Sequence, residues 1–236
     1  MRSETPPNVV DLPDLRGKVR VFGERADGGR ALAGMMAGFR GAEAIVLAIP
    51  AGGVPVGAAL ARELGLPIDL AVVSKITLPW NTEVGYGAVA FDGSVLLNEA
   101  LLAQLPLSER DVAAGVAATR QKVEGRLAAL RGARPFPDLS ARTAILVDDG
   151  LASGFTMRAA VRAVRSAGAA SVVTATPTGH DHAVRALAPL VDGLYCANVR
   201  FGSRFAVADA YARWYDVSDS EVRAILDQQR LPPTTA

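Results

Sequence analysis

The chain has 236 residues, 50% of them hydrophobic, with 25 Lys and Arg against 24 Asp and Glu, a net charge of +1. That length bounds one large domain or a domain with an elaboration, and the balance gives no global electrostatic case for nucleic acid or an acidic surface as partner. No apolar run approaches the ~20 residues that span a bilayer, and the opening MRSETPPNVVDLPDLRGKV lacks the apolar core of a secretory leader.

Residues 1–18 are polar and Pro-rich and read as a flexible N-terminal arm ahead of a domain over 19–230. A helical pattern runs from about Glu24 to Phe39, with Leu32, Met35, Met36 and Phe39 on one side. AIVLAI (Ala44–Ile49) follows, short and without alternation, as in a parallel strand covered on both faces. The loop PAGG (Pro50–Gly53) leads into a helix to about Leu64, and IDLAVVS (Ile68–Ser74) is a second buried strand. This order predicts a parallel pair joined by a crossover.

The rhythm breaks over 75–142. There GAVAFDGSVLLN (Gly87–Asn98) reads as a hairpin turning at Asp92-Gly93. Ser108 to Arg131 reads as a long amphipathic helix with the stripe Val112, Val116, Val123, Leu127 and Leu130, capped by Ser108 with Asp111. Such a helix suits a homodimer contact or the support of a lid.

The rhythm resumes with strand Thr143–Val147, a helix from about Thr156 to Ser166, strand Ser171–Thr176, a helix over Asp181 to Leu187, and strand Leu194–Val199. Cys196, the one cysteine, falls in that last strand and reads as a buried small hydrophobe. A chain that can form no internal disulfide suits a reducing cytoplasm. His180 and His182 read as helix-start residues, since no Cys or carboxylate cluster supports a metal there. Tyr211, Trp214 and Tyr215 have the spacing of a packed helix face. Ser218 with Glu221 caps a last helix to about Gln229. The fold class expected is α/β: a doubly wound, mainly parallel sheet of about five strands, with an inserted β-hairpin and long-helix unit.

The stretch that carries chemistry is ILVDDGLASGFT (Ile145–Thr156). An apolar strand ends at Asp148-Asp149, and strand C-terminal ends are where open α/β sheets bind ligands. Gly150 lets the chain turn. Ala152, Ser153, Gly154, Phe155 and Thr156 then lead into a helix, offering outward N–H groups and two hydroxyls: a phosphate cradle. Carboxylates repel phosphate, so the acid pair serves sugar hydroxyls or a metal ion. Acceptor-only Asp groups suit vicinal ribose hydroxyls, and the whole describes a ribose 5-phosphate.

This stretch resembles the type I phosphoribosyltransferase signature. The resemblance implies that Asp148 and Asp149 meet the ribose hydroxyls of phosphoribosyl pyrophosphate, and that Gly150 and Ala152 to Thr156 grip its 5-phosphate. A second loop, IPAGGVPVG (Ile49–Gly57), stands where the family holds pyrophosphate by backbone N–H groups, here Ala51, Gly52 and Gly53. Many relatives carry Arg where Ala51 stands, which removes a charge-assisted contact; Lys75 is the candidate replacement. KITLPWNTEVGYGAV (Lys75–Val89), RPFPDLSARTAILVDDG (Arg134–Gly150) and FAVADAYARWYDVSDSEV (Phe205–Val222) are similar to an uncharacterised phosphoribosyltransferase-like branch, so the likeness covers most of 20–229.

The resemblance further implies Mg²⁺ bound through pyrophosphate and ribose hydroxyls, a small-molecule acceptor, and a mobile loop in which Glu83 meets Mg²⁺ or the acceptor. Trp80 is a lid residue or a packing anchor. A small hood is built from the termini, where Phe201 or an aromatic of 211–215 stacks on an acceptor ring. The expected function is Mg²⁺-dependent phosphoribosyl transfer to a nucleobase-like heterocycle. The alternative is a non-catalytic regulator that binds phosphoribosyl pyrophosphate or a nucleotide, which the Ala51 substitution motivates. A nicotinamide oxidoreductase needs G-x-G-x-x-G after its first strand, which AGGVPVG does not supply.

Overall fold

The computed structural model describes residues 6–230, with the side chains of residues 82, 83 and 230 outside that description. The main sheet has six strands: β1 (Val9–Val10), β2 (Ala44–Ala48), β3 (Ile68–Leu70), β7 (Thr143–Val147), β8 (Ser171–His180) and β9 (Gly193–Arg200). They lie in the order β1-β9-β8-β7-β2-β3, all parallel. A separate antiparallel sheet holds β4 (Val73–Leu78), β5 (Asn81–Ala90) and β6 (Val95–Leu97).

The unalternating strands follow from burial on both faces. Ile45 and Leu47 of β2, with Ala144 and Leu146 of β7, face one core cluster; Ala44 and Val46, with Ile145 and Val147, face another. Helices α1 (Arg25–Met35) and α2 (Gly53–Leu64) contribute to the second cluster, and α5 (Phe155–Ser166) and α6 (Asp181–Leu187) to the first. α1 and α2 approach so closely that a Cβ on Gly29 would stand 2.3 Å from the Val56 carbonyl oxygen. The inserted unit shares a third core cluster with Ala48, Val54 and Leu70 of the main layer. There Ile76, Leu78, Tyr86 and Val89 meet Val123 and Leu130 of α4 (Glu109–Arg131), and Val222 and Leu226 of α7 (Asp219–Arg230). A short α3 (Glu99–Leu102) links β6 to α4.

Ser108 and Asp111 form a reciprocal capping box on α4, and the hairpin turns at Asp92-Gly93 with Gly93 at φ 79, both as expected. Four expectations need correction. The strand read over 68–74 is two strands. Its first part pairs with β2, and Ala71 N–H still reaches the Ala48 carbonyl. There β2 ends, and the chain turns to pair antiparallel with β5. The hairpin is therefore the outer part of a three-stranded sheet. The main sheet gains a sixth strand from within the supposed arm, because Val9 and Val10 pair with Leu194 and Tyr195. Residues 211–215 are not helical: Tyr211 bridges Phe22, and Ala212 N–H bonds the Phe22 carbonyl, which holds the segment extended.

That pairing builds the hood. Arg20 and Phe22 N–H groups bond the Asp209 and Ala210 carbonyls, while Arg200 fastens the intervening loop through the Ala206 carbonyl and Asp209. Among the described residues no helix is long and apolar enough to cross a membrane.

Candidate active site

β2 and β7 are neighbours, with Ala48 opposite Val147, so the loops that follow them leave the sheet side by side. Their contact is close. A Cβ on Gly52 would lie 1.9 Å from Asp149 Oδ2, and one on Gly53, the first residue of α2, 2.6 Å from the Val147 carbonyl oxygen. Two glycines are therefore required here for packing, as well as for any ligand.

After Asp149 the chain turns at Gly150, which packs against Val207 of the hood; a Cβ there would meet Val207 at 2.4 Å. Leu151 then bridges Gly179, its N–H on the Thr178 carbonyl. Gly154 takes φ 77 to start α5, a left-handed conformation that suits glycine. Ser153 Oγ accepts from Phe155 N–H at 3.5 Å. Among the described residues the N–H groups of Ala152, Ser153, Gly154 and Thr156 have no protein acceptor. They are the unspent donors of a helix start.

Asp148, Asp149, Gly150, Ala152, Ser153, Gly154 and Thr156 line one cleft of about 270 Å³, and Lys75 of β4 lines it with them. Phe155 turns away to lie 5.0 Å from the Arg158 guanidinium. Ala51, Gly52 and Gly53 are not among the residues that line this cleft, although Gly52 packs against the Asp149 carboxylate. The Glu83 side chain lies outside the described residues. A larger cavity of about 520 Å³, between α6 and residues 6–17, contains none of these groups. The acid pair and the unspent N–H groups of the 152–156 loop converge in the smaller cleft.

Arg25, at the start of α1, was not singled out in the sequence. Its Nε donates to Asp149 Oδ2 at 2.8 Å and its Nη1 to the Tyr215 carbonyl at 2.9 Å. Its guanidinium lies 3.8 Å from the Trp214 ring centroid, a cation–π contact. Tyr211 Oη donates to the Asp149 carbonyl at 2.6 Å. Of the aromatic triplet read as a helix face, Tyr211 and Trp214 are thus spent on Asp149 and the arginine that holds it, while the Tyr215 hydroxyl donates to Glu221. Only the Tyr and Trp content of the hood hinted at this, because the partners are more than 60 residues away in sequence.

Burial and the adjacent charge of Asp149 push the Asp148 carboxyl well above the usual range. Burial raises Asp149 as well, opposed by Arg25. Burial also raises the Tyr211 phenol, so it stays a hydrogen-bond donor. His180 caps α6, accepting from His182 N–H through Nδ1, as the helix-start reading expected.

Residues 25–208 match the family model described as phosphoribosyl transferase domain, and the chain belongs to that family. A Mycobacterium tuberculosis H37Rv protein named "Putative phosphoribosyl transferase Rv0571c" is 36% identical over 213 residues, 89% of this chain and 47% of the relative. The chain spans about half the length of the curated relatives it matches. The crystal structure of TT1426 from Thermus thermophilus is 31% identical, with a TM-score of 0.72 over 88% of this chain and 98% of that one.

Proposed function

We propose that this chain is a Mg²⁺-dependent phosphoribosyltransferase that takes phosphoribosyl pyrophosphate as donor and a nucleobase-like heterocycle as acceptor. The observation that carries this reading is the cleft itself: unspent N–H groups of 152–154 and 156 beside the acids Asp148 and Asp149. The 5-phosphate sits on those N–H groups and the start of α5. Asp148 and Asp149 accept from the ribose hydroxyls. Ala51 and Gly52 present backbone to the pyrophosphate, whereas the Gly53 N–H, read from the sequence as a third donor, is bonded to the Ile49 carbonyl at 3.0 Å; Glu83 is the residue proposed to meet the metal or the acceptor.

No group of three or more His, Cys, Asp or Glu that could cage a metal occurs among the described residues. Mg²⁺ keeps several waters and substrate oxygens and needs no all-protein cage, so it is held through the donor's pyrophosphate and through the ribose hydroxyls that Asp148 and Asp149 meet. When bound it supplies charge neutralisation at the leaving pyrophosphate. The protein's share is positioning and exclusion of water while the anomeric carbon develops oxocarbenium character. Lys75 lines the same cleft as the acid pair, where its positive charge offsets their repulsion of the donor.

Calorimetry with phosphoribosyl pyrophosphate and Mg²⁺ tests the donor. Binding by wild type that Asp148→Asn/Asp149→Asn abolishes supports the site, and absence of binding by wild type overturns it. The second reading, a sensor that binds donor without turnover, is favoured by Ala51 in the pyrophosphate loop. Pyrophosphate release in an acceptor screen would dismiss it.

A further inference from the structure

The pyrophosphate loop carries Ala51 where a cation would strengthen its grip, yet the fold brings an arginine there from the inserted helix. Arg126 of α4 donates from Nη1 to the Pro50 carbonyl at 3.3 Å, one residue before Ala51. Its Nε and Nη2 donate to Asp219 Oδ1 of α7 at 3.1 and 2.6 Å. A guanidinium has five N–H donors, and three bonds leave two unspent. Its side chain is 19% exposed, so those donors border solvent at the loop.

We propose that Arg126 is the pyrophosphate-binding cation of this site, supplied by the insertion in place of the residue missing at position 51. This rests on the donor reading above. The other cations nearby are committed elsewhere. Arg25 is buried, bonded to Asp149 and the Tyr215 carbonyl and stacked on Trp214. Lys75 lines the cleft of the 5-phosphate loop. Arg126 is hydrogen-bonded to the Pro50–Gly53 loop itself. Asp219, 43% exposed, orients the guanidinium and partly cancels its charge.

The test separates the two halves of the donor by titrating full-length protein with Mg²⁺–pyrophosphate and, in parallel, with ribose 5-phosphate. Arg126→Met should weaken pyrophosphate about ten- to a hundredfold, the range of a lost charge-assisted contact, and leave ribose 5-phosphate within about twofold. Arg126→Lys should recover part of the loss, since it keeps charge but not the fork. Asp219→Asn keeps the arginine and removes a competing anion, so pyrophosphate should bind as tightly as to wild type or tighter. A role confined to holding α4 against α7 predicts the reverse, weaker binding in Asp219→Asn, and that result overturns the proposal. So does equal weakening of both ligands by Arg126→Met, or no weakening of either. If wild type binds neither ligand, the donor reading itself has failed.

Discussion

At the scale of single residues, Asp149 is held from three directions. Its carboxylate meets Arg25, its carbonyl meets Tyr211, and Gly52 leaves it just enough room. Gly52→Ala should therefore displace the carboxylate. Misplacement of this kind costs on the order of a hundredfold in site function. Calorimetry should show at least a tenfold loss of donor affinity, about 1.4 kcal/mol, with the far-ultraviolet spectrum unchanged. Arg25→Met leaves a buried carboxylate without its partner, which costs about 3 kcal/mol or more of stability, readable as a fall in the urea midpoint. Asp148 works in the opposite sense. The folded chain holds its proton to higher pH than the unfolded chain does. Its favourable contribution is thus complete below the unfolded carboxyl pKa of about 3.9 and is lost as pH rises through the raised folded value. Asn mimics the protonated acid at every pH. Asp148→Asn should melt roughly 2–4 °C above wild type at pH 7, a gain of order 1 kcal/mol. The two should melt together near pH ~3.5, below that unfolded value.

At the scale of elements, the parts governed by local chemistry were legible and the parts governed by distant pairing were not. The Ser108–Asp111 capping box, the Asp92-Gly93 turn and the apolar runs at 44–48 and 143–147 all carry their own signals. The strand end, turn and helix start around 148–155 were legible because an apolar run gives way there to Asp148, Asp149, Gly150 and a loop of small residues. The break at Ala71 was invisible, because IDLAVVS is apolar throughout and the change of sheet depends on where β2 ends. Residues 211–215 misled because aromatic spacing suits a helix, while the bridge from Tyr211 to Phe22 spans nearly the whole chain. Arg25 and Arg126 were missed for the same reason: an arginine in a helical pattern looks solvated until its partner is known. The cap allows a clean check. Ser108→Ala removes an acceptor from the Asp111 N–H of a helix that carries Arg126. It should cost about 0.5–2 kcal/mol in chemical denaturation. Donor affinity should be unchanged, since the cap lies about five turns from the guanidinium by the ~3.6-residue period of the helix.

At the scale of the whole molecule, three parts meet around the site. The main sheet supplies both loops, the insertion supplies Lys75 to the cleft and Arg126 to the Pro50 carbonyl, and the hood places Trp214 over Arg25. A ligand that touches all three draws them together, so closure should show where the insertion meets solvent. Trp80 stands there, 58% exposed, in the turn between β4 and β5. The chain has only two tryptophans, so Trp214→Phe leaves Trp80 as the sole reporter while keeping an aromatic face for Arg25. Saturation of that variant with donor and Mg²⁺ should shift the emission to the blue and reduce acrylamide quenching, as the indole leaves water. Phosphate alone, which occupies the 5-phosphate cradle without spanning the parts, should leave both signals unchanged. An unchanged Trp80 signal at saturating donor would make the turn a fixed surface, and exclusion of water would then fall to the hood alone.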